Sequence, residues 1–107
     1  MKNNFFKHSD KNDTIIQRRY YFLKLLKERG TLTAPEICSA LKIEKHSDYS
    51  TDYAELSNYI QWPGWDEEFD NCFYVEHFDG DEATSSLSKF CINQSGIKWL
   101  NNKKRRL

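Results

Sequence analysis

The sequence predicts a small α+β domain of three helices, a β-hairpin and a closing helix. Three observations lead there. Apolar residues recur at helical spacing before Trp62 and at strand spacing after it. Two capping-box patterns, Thr14-x-x-Gln17 and Thr33-x-x-Glu36, mark helix starts. The 107 residues suffice for a single core.

Residues 1–13 are polar and unpatterned, and read as a flexible arm. Thr14, with Asp13 as an alternative cap, opens a helix through "IIQRRYYFLKLLKER" that stops at Gly30. Ile15, Ile16, Phe22, Leu23 and Leu26 share one arc of it. Arg19 projects from the middle of that arc, and is expected to snorkel to the rim or to pair with a carboxylate from the acidic middle of the chain. Tyr20, Tyr21 and Leu25 lie off the arc. With Ile97 and Leu100 of the last helix they form a second apolar surface, suited to pairing two copies or to being covered by Phe5 and Phe6 of the arm.

Thr31–Thr33 reads as a short β segment. Thr33 and Glu36 cap a helix over Ala34–Leu41, with Pro35 in its first turn and Ile37, Cys38 and Leu41 buried. A third helix is expected over about 48–61. Its stripe is Tyr49, Tyr53, Leu56 and Ile60, at i, i+4, i+7 and i+11. Trp62-Pro63-Gly64-Trp65 ends it, and "DEEFD" follows as an acidic loop. Residues 71–78 and 87–93 are rich in β-formers. A hairpin centred between Asp81 and Glu82 would set Cys72 opposite Cys91 and Phe73 opposite Phe90; a tight turn at Asp79-Gly80 would shift that register. "QSGIKWLNN" closes the domain at residue 102, and 103–107 form a basic tail. The expected core is Phe22, Leu26, Ile37, Leu41, Tyr53, Leu56, Ile60, Phe73, Val75, Phe90, Ile92 and Trp99.

Net charge is zero, but it is unevenly spread. Residues 1–30 carry eight Lys/Arg against three Asp/Glu, residues 31–82 two against thirteen, and residues 83–107 six against none. The ends are basic and the middle acidic, so partners must be argued locally. No apolar run is long enough to span a bilayer and no signal-peptide core is present, so a cytoplasmic protein without membrane contact is expected. Cys38, Cys72 and Cys91 are odd in number with no C-x-x-C, and His8, His46 and His77 are scattered. Neither a disulfide framework nor a metal site is expected. No nucleophile–base pair, phosphate cradle or cofactor motif is readable, so the chain is not expected to be an enzyme or to hold a cofactor.

The order of elements resembles a winged helix-turn-helix domain of the bacterial and phage transcription-regulator type. "LKLLKERGTLTAPEICSALKI" is similar to that family's first helix, first strand and second helix. "KFCINQSGIKWL" is similar to its last wing strand and closing helix. The resemblance covers about residues 14–102 and implies duplex DNA as partner. Its third helix would enter the major groove through Ser50, Thr51, Ala54, Glu55 and Asn58, with the wing tip at 79–86. Asn58 would pair with adenine and Glu55 with cytosine.

The charges of the acidic middle run against that reading. The third helix lacks Lys and Arg, and the wing tip carries Asp79, Asp81 and Glu82. Phosphate contacts are therefore expected from Lys89, Lys98, Lys103, Lys104, Arg105 and Arg106. The alternative is a protein-interaction module, or an acidic mimic of DNA, using Tyr59, Trp62, Trp65, Asp66, Glu67, Glu68, Phe69 and Asp70: aromatics among acids, as in an interface core with a polar rim.

Overall fold

The computed structural model describes residues 11–61, 64–76 and 87–104, with side chains from Ile15 to Lys103 within those ranges. Among these residues it is an α+β arrangement of five helices and one three-stranded antiparallel sheet. The first helix, α1, runs Lys11–Arg29. It begins before Thr14, so Thr14 lies inside it and the expected capping box is not its start. No Pro or Gly interrupts residues 11–13. Gly30 ends it as expected, with φ at +87° and its N–H donating to Leu26 O at 2.8 Å.

After α1 come β1 (Leu32–Thr33) and α2 (Ala34–Leu41). The capping box here is complete: Glu36 N donates to Thr33 Oγ1, and Thr33 N donates to Glu36 Oε1 at 2.8 Å. Lys42 closes α2 in the left-handed region, at φ 59°.

α3 spans Asp52–Gln61, later than the expected start. The preceding residues are held otherwise. Ser50 N donates to Ser47 O, Tyr49 N donates to Ser47 Oγ, and Thr51 Oγ1 accepts from Ala54 N as the cap. Tyr49 therefore leaves the apolar stripe and is 97% exposed, whereas Leu56 and Ile60 are buried and Tyr53 packs at the core's edge.

The expected acidic loop is a short helix, α4 (Glu67–Asp70). Asp66 caps it by accepting from Phe69 N. β2 (Phe73–Glu76) and β3 (Lys89–Ile92) complete a sheet of order β1-β3-β2. Phe73 faces Ile92 and Val75 faces Phe90. The expected pairing of Phe73 with Phe90 and Cys72 with Cys91 is thus displaced by two residues. A slip of two leaves every side chain on its face, so the inward residues are unchanged. One contact extends this register past the strand ends: Asn93 N donates to Cys72 O. The expected tip, residues 79–86, and both expected turns lie outside the described residues.

The last helix, α5, runs Gln94–Lys104, with Asn93 Oδ1 accepting from Gly96 N at 2.9 Å. It packs against α1. Leu25 and Leu100, expected on an outer surface, are buried in the core; Tyr20 is partly covered, and Tyr21 remains 46% exposed. The second apolar face of α1 is thus largely taken up within the chain.

Phe22 is the centre of the core. Its ring lies 5.0 Å from Phe73, 6.0 Å from Phe90 and 6.1 Å from Phe69, at the tilted and edge-on angles that aromatic quadrupoles favour. Leu41, Val75 and Ile92 border this cluster. Among the described residues no helix is long and apolar enough to cross a membrane.

Candidate functional site

The outer face of α3 is smaller than its sequence implies. Ala54 and Asn58 are exposed, Thr51 is half-buried at the cap, and Ser50 is half-buried in the turn before it. Glu55 does not belong to this face. It is 6% exposed, accepts from His46 N at 3.0 Å, and lies 2.6 Å from His46 Nδ1. The Ser50 hydroxyl, and after it the His46 backbone N–H, hold the Glu55 carboxyl below its ordinary range. Glu55 therefore anchors the α2–α3 loop and is not free to read a base.

The carbonyl end of α3 is gripped from α1. A helix leaves its last carbonyls without internal partners, and α3 has no basic residue in its last turn. Arg18 Nε donates to Tyr59 O, and Arg19 Nε donates to Ile60 O at 2.7 Å. Arg19 also donates to Gly64 O at 3.0 Å and Gln61 Oε1 at 3.4 Å, and pairs with Asp66 at 3.4 Å. Its guanidinium rests on the ring of Phe69. Burial lowers the pKa of Arg19, and the Asp66 carboxylate opposes that shift. The expected pairing of Arg19 with the acidic middle is present, and the backbone of that segment contributes more bonds than its carboxylate.

The acidic–aromatic residues separate into two groups. Phe69 is fully buried, so it is a core residue and not a contact surface. Tyr59 is half-buried, with the Arg18 guanidinium 5.6 Å from its ring centre; burial pushes its hydroxyl up to about 12. Asp66 is held as cap and ion-pair partner, and Asp70 accepts from Gln61 Nε2 at 3.5 Å. Trp65, at 64% exposure, and the exposed Glu67 and Glu68 remain available. Trp62 lies outside the described residues.

Of the expected phosphate contacts, Lys89 is exposed on β3 and Lys98 on α5. Lys103 is half-buried, its ammonium 5.4 Å from the Trp99 ring centre. The side chain of Lys104, and Arg105 and Arg106, lie outside the described residues. Lys98 and Lys103 line a cleft with Glu68, Asn71 and Trp99, so they stand beside the α4 segment. Burial pushes the thiols of Cys38 and Cys72 up to about 11, which leaves them protonated near neutral pH. Among the described residues no group of three His, Cys, Asp or Glu is placed to hold a metal ion.

The sequence held signals for two of the misplaced residues. Asp66-x-x-Phe69 has the spacing of a cap and its third helical residue, which turns Phe69 inward. Glu55 stands one residue before the buried Leu56 and four after Thr51, a position that already borders the stripe. Compared with known proteins, the chain matches no family model, no curated protein and no solved structure.

Proposed function

We propose that the protein is a small winged-helix DNA-binding protein, with α3 as the helix that enters the major groove. One observation carries the reading. A short strand between the first two helices pairs with the last strand of a hairpin, giving the order β1-β3-β2, and α3 leaves Ala54 and Asn58 outward. Asn58 is the residue that discriminates bases, through a bidentate contact with adenine. Ala54 allows close approach. Arg18 and Arg19 act by orienting α3, and the phosphate charge is met by Lys89, Lys98 and the basic tail.

Selection of bound duplexes from a random pool tests this directly. The full chain enriches a sequence, and Asn58→Ala loses preference at one base position, worth about 1–3 kcal/mol for a bidentate contact. Removing residues 103–107 weakens binding to all sequences alike. A pool that stays random after selection rejects the reading.

A second reading is favoured by Trp65, Glu67 and Glu68: an interaction module whose acidic face takes a basic protein partner in place of DNA. In that case Asn58→Ala and loss of the tail are silent, while Glu67→Lys with Glu68→Lys abolishes partner capture.

A further inference from the structure

The α4 segment and α5 line a cleft of about 430 Å³. Glu68 lines it from α4, Lys98 and Lys103 line it from α5, and Trp99 is part of its wall. No ion pair among the described residues joins Glu68 to either lysine. Trp65 stands three residues before Glu68, so the chain holds it within about 11 Å of the cleft residue. It is 64% exposed.

A face carrying acids on one side and bases on the other is complementary to itself after a half-turn, whereas a face of one sign repels its own copy. Zero net charge removes long-range repulsion between copies. An exposed tryptophan within chain reach of a charged-rimmed cleft, whose wall includes the small accessible part of the core residue Trp99, has the composition of an interface anchor and its receptor. We propose that this face is a two-fold dimer interface: Trp65 of each copy enters the other's cleft against Trp99, while Glu67 and Glu68 face the other copy's Lys98. No residue of α3 takes part, but Lys98 is also a phosphate contact in the DNA-binding reading, so the dimer is tested without DNA and its failure leaves that reading standing. It also differs from a dimer built on Leu25 and Leu100, which are buried within one chain.

Sedimentation equilibrium of the full chain across a dilution series tests the proposal. A dimer mass is expected at low salt, shifting toward monomer at high salt. Glu67→Lys with Glu68→Lys, and separately Lys98→Glu, each place like charges across the axis and give monomers. An equimolar mixture of the two variants restores both attractive contacts, so a dimer mass returns; a merely structural defect would not be rescued. Trp65→Ala weakens dimerisation by about tenfold or more, as removal of a hot-spot anchor does. A monomer mass for the unaltered chain at its highest concentration overturns the proposal. So does a dimer that both charge variants leave intact, or a mixture that stays monomeric.

Discussion

The guanidinium carbon of Arg19 lies 4.9 Å from the centre of the Phe69 ring, and both side chains are buried. This stack joins α1 to α4, and the same guanidinium holds Ile60 O and Gly64 O. Arg19→Ala strands the buried Ile60 carbonyl, which costs about 1–3 kcal/mol before lost packing is added. Asp66→Asn, whose side chain is partly exposed, costs at most about 1 kcal/mol through the ion pair. Arg19→Lys does not rescue, because one ammonium cannot reproduce the planar fork. Urea denaturation midpoints of the three variants check this order.

Glu55 makes stability depend on pH at the acid end. Its folded carboxyl is held below the ordinary value of 4.5. The resulting stabilisation is fully present above that value and is lost as pH falls through the lower folded value. Melting temperatures from pH 7 downward should show an acid-side loss that Glu55→Gln reduces. Identical profiles for the two proteins would contradict the role assigned to Glu55.

Gly96 is a packing requirement. A Cβ there would run into Cys72 O, which is backbone, and meet Ile92 Cγ1 at 2.6 Å. Gly96→Ala therefore lowers stability by about 1–3 kcal/mol, the range of overpacked sites. Calorimetric melting reads it, and an unchanged midpoint would mean that α5 sits further from residue 72.

Lys42 gives the opposite sign. A non-glycine residue at φ 59° carries a cost of about 1–2 kcal/mol that glycine avoids. Lys42→Gly should raise the urea midpoint. A lowered midpoint would show that the lysine side chain contributes more than its backbone costs.

These residues also show how far the sequence could be read. The capping box of α2 and the stop at Gly30 were legible because local hydrogen bonds decide them. The sheet faces were legible because alternation survives a two-residue slip, while the register itself was not, since the same alternation fits either pairing. The start of α3 is not legible, because Tyr49 fits the helical stripe while the Ser47 and Thr51 side chains accept local backbone N–H bonds. In the candidate site, the exposure of Asn58, Ala54 and Trp65 followed from pattern. For Glu55 and Phe69 the spacing to Leu56 and to the Asp66 cap was only a partial signal, since their burial also depends on a loop and on a helix from elsewhere in the chain.

The central claim is that α3 and the basic surface bind duplex DNA, and a salt titration of binding to a random duplex tests it most directly. With α3 supplying no lysine or arginine and α1's Arg18 and Arg19 engaged on α3, the phosphates are assigned to Lys89, Lys98 and the basic tail. The account predicts binding at low salt, with a slope of log K against log salt of about −3 to −5. It predicts a shallower slope once residues 103–107 are removed. No binding at micromolar protein and low salt, or a slope that loss of the tail leaves unchanged, would contradict it.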